Sequence, residues 1–352
     1  MKKVLIIILI TIILAAGGFL AYKMYIQHIE ETLGNSEEQV SEEKEEDETI
    51  IVELPQEPEK TVQIYTGTER PIAVMIDNDK KAWPHAGLND AYLIYEIEVE
   101  GIETRLMACF KGASLEKVGP IRSARPYFID YAMENSAIYV HHGWSTQAEY
   151  DISALKINNI NGISESSKSF WRVKGKSAPH NLVTSTEKIW EIANRKGYRT
   201  DSDAPSVLNY TTEEVNLMDG QPANIVTIPY NSKRVVKYEY NPETKMYTRY
   251  SRGIKQTDWT TGEDITTKNI IITKADTYLL KDPENKGRKG LKNIGTLDGY
   301  YITNGQVIPI TCTKENRTSQ TKYEDMNGNE IEVNDGRTYI QICATNLNIS
   351  FE

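Results

Sequence analysis

The sequence predicts an α+β fold: a mixed α/β half, then an antiparallel β-rich half, with one transmembrane helix ahead of both. Three observations predict it. Residues 4–22 form an uncharged, apolar run. Residues 63–205 mix short apolar strands with helix-spaced stretches. Residues 223–352 are rich in Tyr, Thr, Ile and Val and are punctuated by Asn-Gly and Asp-Gly pairs.

The apolar run, Val4 to Tyr22, is 19 residues long. About 20 such residues cross a bilayer as a helix. Lys2 and Lys3 precede the run, so the positive-inside bias puts the N-terminus in the cytoplasm and the body outside. A cleaved signal peptide is the rival reading. Its core is shorter, whereas this run continues past Leu14-Ala15-Ala16-Gly17-Gly18 to Tyr22. A lipoprotein needs a cysteine after such small residues, and Cys109, Cys312 and Cys343 all lie far away. The expected anchor segment is therefore 1–29. The expected stalk is 30–62, with thirteen acids and two bases between Glu30 and Lys60. Such self-repelling composition favours an extended, disordered spacer. With the stalk and the anchor lysines set aside, the total of −10 leaves about −2 on residues 61–352. A near-neutral body gives no electrostatic case for nucleic acid.

The body divides by pattern. Ile72–Ile76, Tyr92–Val99, Thr104–Phe110 and Ile138–Val140 read as strands. Ala124 to Glu134 has helical spacing. Thr184-Ser185-Thr186-Glu187 opens a second helix that stops at Gly197. A polar linker at 206–222 separates this 63–205 domain from the 223–352 domain. In the latter, Asn304-Gly305, Asn327-Gly328 and Asp335-Gly336 are hairpin signals, because type I′ turns need positive φ. Three cysteines cannot all pair internally, and no CxxC or Cys/His spacing suggests zinc. No metal or other cofactor is expected.

Candidate site residues fall in four segments. Asp77 and Asn78 end a strand. Arg122, Ser123 and Arg125 lie in GPIRSARP, 119–126. With Ser123 as N-cap, Pro126 takes the third helical position and two arginines sit at a helix start. The dipole disfavours cations there, unless an anion or carboxylate docks on them. Pairing with Glu96, Glu98 or Glu103 as structural salt bridges remains the alternative. Ser123 reads as a cap before a nucleophile. His141 and His142 end a strand and should face opposite ways. His180 and Asn181 follow Pro179, and Lys168, Arg172, Lys174 and Lys176 precede them. If Thr104–Phe110 and Ile138–Val140 are parallel strands, the arginine loop and the histidines leave on one rim, where open α/β sheets place ligands. Trp83, Trp144 and Trp171 could then wall the site. Zinc held by His141 or His142, His180 and Asp77, and acid–base work by one histidine, are weaker readings.

RPIAVMIDN (70–78), AGLNDAYLIYE (86–96), EGIETR (100–105), GPIRSARPYFIDYA (119–132), HHGWS (141–145) and APHN (178–181) resemble the YerB-like family of exported bacterial proteins. VVKYEYNPETKMYTRYSRG (235–253), Asp258, NIIIT (269–273) and GRTYIQIC (336–343) are similar to its C-terminal domain. The resemblance implies two domains and an exported body. It implies no activity, since the family is of unknown function. Members are often lipoproteins, and the absence of a lipid-attachment cysteine favours the transmembrane anchor here.

Together these readings give a membrane-anchored extracytoplasmic binding or adaptor protein, with an anionic or carboxylate-bearing envelope ligand or an envelope protein as partner. The rival is an envelope hydrolase or transferase with a histidine base and arginines stabilising developing charge.

Overall fold

The computed structural model describes residues 60–352, with Lys23, Met24, Gln27 and His28. The expected transmembrane run and nearly all of the stalk lie outside the described residues. Among those described, no helix is long and apolar enough to cross a membrane.

Five strands of the first half enter the main sheet: β1 (Ile72–Asp77), β2 (Leu93–Glu98), β3 (Thr104–Phe110), β4 (Ile138–His141) and β5 (Asn159–Asn161). They stand in the order β2-β3-β1-β4-β5. The sheet continues past β2 into the second half, through Thr338–Cys343, Asn269–Lys274, Gly295–Thr303, Gln306–Lys314 and Lys322–Glu324. Leu93 faces Thr338 and Ile97 faces Ile342 in parallel register, so the two halves share one continuous hydrogen-bonded sheet. The linker region joins in too: Tyr210–Thr211 pairs with Val333–Asn334, and Gln221–Pro222 pairs with Gln306–Val307.

Every residue of β1 is buried, because both faces of the sheet are covered. On one face Met75, Tyr95 and Met107 pack with Phe128, Ile129 and Ala132 of helix α1 (Pro126–Glu134) and with Ala148 and Ile152 of α2 (Thr146–Ala154). On the other, Val74, Ile76 and Ile94 pack with Ile189 and Ile192 of α3 (Thr186–Arg195) and with Val226, Val236 and Tyr238. The last three belong to a second, antiparallel sheet built on Ile225–Asn231, Arg234–Asn241 and Met246–Ser251. Cys109, Cys312 and Cys343 are all buried and unpaired.

Four expectations need correction. First, β3 and β4 do not form a parallel β-α-β unit. β3 runs antiparallel to β1, and the parallel partner of β4 is β1, with Ile72 facing Ile138. Second, α1 is capped by Arg125 and not by Ser123, which places Pro126 at its first position. Proline pushes the preceding residue toward extended backbone, and Arg125 is extended at φ −131° and ψ 150°. Third, the second half is not wholly antiparallel, since Thr338–Cys343 is parallel to both neighbours and Asp335-Gly336 closes no hairpin. Fourth, α2 was not anticipated. It presents only Ala148, Asp151 and Ile152 to the interior, and Ser145 caps it by accepting from Ala148 N at 3.3 Å. By contrast, Asn304 and Gly305 both take positive φ between Gly295–Thr303 and Gln306–Lys314, as a type I′ hairpin requires.

Candidate functional site

The arginine segment is a strap across the C-terminal ends of β1 and β4. Its backbone accounts for itself nearly residue by residue. Pro120 O accepts from Asp77 N (2.8 Å), and Arg122 N donates to Met75 O (2.9 Å). Ile121 N donates to Leu182 O (2.7 Å), Arg122 O accepts from His142 N (3.0 Å), and Ala124 N donates to Gly143 O (2.9 Å). Gly119 sits at φ +138°, where an added Cβ would lie 3.0 Å from both Leu182 O and Ile121 N, so only glycine fits this entry. The strap therefore brings segments near residues 77, 122, 142 and 182 together. The shared rim exists, but the parallel β1–β4 pair creates it.

Asp77 is the hub. Its Oδ2 lies 2.8 Å from His180 Nδ1 and 3.1 Å from Arg122 Nε, and its Oδ1 accepts from Asp79 N at 3.1 Å. The backbone O of Asp77 is 2.8 Å from His85 Nε2. Burial pushes His85 down to about 3, with the Arg249 and Lys176 charges adding to it, so that ring is neutral. Arg122 Nε makes no hydrogen bond at its 3.1 Å contact, so the pairing with Asp77 is electrostatic and not directional. The Nη nitrogens of Arg122 donate to no described residue, and 28% of the side chain is exposed.

Other candidates separate from this hub. Arg125 forms a two-pronged pair with Glu100, at 2.5 and 2.9 Å, which makes it structural. The alternative partners are engaged elsewhere: Glu96 with Arg249, Glu98 with Lys289, and Glu103 with Arg234 and Arg252. His141 turns inward, with Nδ1 2.8 Å from Gly143 O and Nε2 3.1 Å from Asn159 Oδ1. Burial lowers it to about 4. Asn78 is a buried tie, donating to Glu96 and Thr104 and accepting from Trp83 Nε1. Asn181 accepts from Arg172 Nη1 at 2.8 Å and braces the loop before it. Ser123 contributes its backbone O, which accepts from Arg105 Nη1 at 2.6 Å.

His142 faces away from His141. Its Nδ1 is buried with no partner among the described residues. Burial lowers its affinity for a proton, and the nearby positive charges of Arg172 and Arg122 lower it further. Arg105 is a candidate site residue absent from the sequence reading. It is 6% exposed, opposite Asp77 in the β1–β3 register, and Nη1 to Ser123 O is the single hydrogen bond of its side chain among the described residues. Burial, together with the charges of Arg125 and Arg122, pushes it down to about 9. The signal was there: a lone arginine in the strand Thr104–Phe110 must be buried if the strand is, and buried arginines need a reason.

Lys176 leaves the cluster. It donates to Ala82 O and Pro84 O and lies 3.6 Å from the centre of the Trp259 ring. Trp83 donates to Asn78 and has the Arg234 guanidinium 5.8 Å from its ring centre, Trp144 packs beside His141, and Trp171 lines a separate cavity with Lys168. Among the described residues no group of three His, Cys, Asp or Glu is placed to hold a metal.

Asp77 thus has Arg122 in contact and Arg105 opposite it across β1–β3, the charges of Arg122 and Arg172 act on His142, and Asp77 is the one nearby carboxylate once Arg125 and Glu100 are counted as a pair. Such an arrangement attracts an anion.

Residues 57–199 match the N-terminal domain, and residues 226–340 the C-terminal domain, of a protein family described as of unknown function (DUF3048). The chain belongs to this family. It is 32% identical over 284 residues to a Bacillus subtilis (strain 168) protein titled "Putative lipoprotein YerB", a match covering 79% of this chain and 80% of that one. It is also similar to the crystal structure of YerB protein from Bacillus subtilis, with a TM-score of 0.72 and 30% identity over 80% of this chain and 94% of the other. This DUF3048 member carries its arginine strap in the N-terminal domain, and the C-terminal domain supplies Trp259 and Asp258 against residues 85–87, which bridge to the strap through Ala86 and Gly119. Asp258 Oδ2 accepts from Gly87 N at 2.8 Å, and Trp259 N donates to His85 O at 2.6 Å.

Proposed function

We infer that this chain is a membrane-anchored, extracytoplasmic binding protein whose arginine strap takes an anionic or carboxylate-bearing group of the cell envelope or of an envelope partner. One observation carries the reading: among the described residues, Arg105 and Arg172 have no carboxylate partner, and Arg122 directs its Nη nitrogens to no acceptor. Arg105 is buried and Arg122 partly so, and a desolvated guanidinium gains more from an anion than a hydrated one, such as the exposed Arg172, does. Placement outside the membrane rests on the lysines ahead of residues 4–22, on the acidic stalk, and on likeness to a protein named as a lipoprotein. The test is calorimetric titration of the purified chain with inorganic phosphate and with acetate. Saturable binding that is lost in Arg122→Ala and weakened in Arg172→Ala supports the reading, and no binding of either anion sinks it.

A second reading draws on the 2.8 Å contact from Asp77 to His180 Nδ1. A carboxylate on one ring nitrogen fixes the tautomer and leaves the other to act as a base, in a hydrolase or transferase. Turnover of cell-wall fragments by the purified chain, abolished in His180→Ala, would favour it.

A further inference from the structure

Helices α1 and α2 and the hairpin of Thr277–Leu279 with Lys289–Leu291 line a cavity of about 380 Å³, whose walls include none of the strap arginines. That volume lies within the range of roughly 300–1,000 Å³ usual for small-molecule sites. One wall is a chain of planar polar groups. Gln147 Nε2 donates to Asp151 Oδ1 (2.8 Å), and Arg317 Nη2 to Asp151 Oδ2 (2.8 Å). Arg317 Nε donates to Asp130 Oδ1 (2.7 Å), and Asn293 Nδ2 to Asp130 Oδ2 (3.2 Å). Both carboxylates are buried, whereas 37% of the Arg317 side chain is exposed. Arg317 Nη1 has no partner among the described residues, and each carboxylate oxygen keeps acceptor capacity beyond its one bond.

The opposite wall is apolar and open. Tyr278 is 48% and Ile294 45% exposed. A neighbouring cavity of about 490 Å³ shares Gln147 and Leu280 and is lined by Tyr150, which is 69% exposed. The two adjoin along Gln147 and Leu280 as one groove-like face, with an exposed tyrosine ring in each part.

We propose that this groove binds a neutral oligosaccharide. A sugar ring has an apolar C–H face and a rim of hydroxyls. Tyr278 and Tyr150 offer broad, amphipathic surfaces to the faces of successive units. The chain from Gln147 through Asp151, Arg317 and Asp130 to Asn293 offers alternating acceptors and donors to the hydroxyls. Those groups are already held by one another, so little ordering cost remains on binding. Two carboxylates against one guanidinium make the wall unsuited to anions, which separates this groove from the strap.

Titration of the full-length chain with the β-1,4-linked tetramers of glucose and of N-acetylglucosamine, and with oligolysine, tests the proposal. At least one tetramer should bind. Tyr278→Ala and Tyr150→Ala should each weaken it by about five- to tenfold. Both rings are exposed, so these variants keep the fold. A Cβ on Gly290 would lie 2.4 Å from Tyr278 Cζ, so Gly290→Ala should swing that ring away and weaken binding without removing it. Failure of both tetramers, undiminished binding in the tyrosine variants, or binding of oligolysine alone would overturn the assignment.

Discussion

Asp77 and His180 stand 103 positions apart in sequence, yet Asp77 Oδ2 lies 2.8 Å from His180 Nδ1. The same oxygen faces Arg122 Nε at 3.1 Å. One buried carboxylate thus joins the end of β1, the loop before Leu182 and the arginine strap. Removing it leaves the Arg122 guanidinium without its counter-charge and His180 Nδ1 without its partner. Asp77→Ala should cost about 3 kcal/mol of stability in urea unfolding. A cost under about 1 kcal/mol, the size of an exposed pair, would mean that the three segments are positioned without it.

Arg122 and Arg125 should behave differently despite being two residues from adjacent. Arg125→Ala strands Glu100, which is only 21% exposed, and should cost about 1–3 kcal/mol while leaving anion affinity close to the parent. Arg122→Ala should remove anion binding at a smaller loss of stability, because Asp77 keeps its contacts to His180 and Asp79 N. Chemical denaturation and calorimetry on the two variants give both quantities, and a reversed order would reassign the roles.

Glu96 and Arg249 pair at 2.7 Å with both side chains essentially buried, one from each half of the chain. Burial alone would raise the Glu96 carboxyl, but the Arg249 charge and the Thr104 hydroxyl outweigh it and hold the group below its ordinary value. Arg249→Met should therefore cost about 3–5 kcal/mol, and adding Glu96→Gln should recover part of that loss. With the main sheet continuous through both halves, unfolding of the parent should show one transition by fluorescence and by circular dichroism alike. Two separated transitions would mean the halves are independent.

His141 is neutral in the fold, lowered by burial to about 4, while the unfolded chain protonates it near 6.5. Its contribution is complete above pH 6.5 and is lost as the pH falls toward 4, since the unfolded state then binds the extra proton. His141→Gln should flatten the stability profile between pH 6.5 and 4 by about 3 kcal/mol relative to the parent. Parallel profiles would show that the ring is not held neutral.

Local chemistry was legible in the sequence, and long-range pairing was not. Asn304-Gly305 dictated its own hairpin, and the capped start of α3 and its stop near Gly197 followed from nearest neighbours. A serine cap at Ser123 fails because Pro126 restricts Arg125 to extended backbone and so makes Arg125 the N-cap. α2 escaped notice because its buried stripe is too thin to give a helical period. The orientation of β3 cannot be read locally, because an apolar strand of seven residues pairs equally well in either direction. Nor could sequence choose among the glutamates for each arginine: Glu96, Glu98, Glu100 and Glu103 lie within one hairpin, and the pleat and the second sheet decide which faces which cation.

The central claim is that Arg105 and Arg122 form an anion site while Arg125 does not. Nuclear magnetic resonance of the arginine Nε–H groups, followed while inorganic phosphate is titrated into the full-length chain, tests it most directly. Saturable shifts at Arg105 and Arg122, with Arg125 unmoved on Glu100, are predicted. Equal shifts at all three, or none at Arg105 and Arg122, would contradict it.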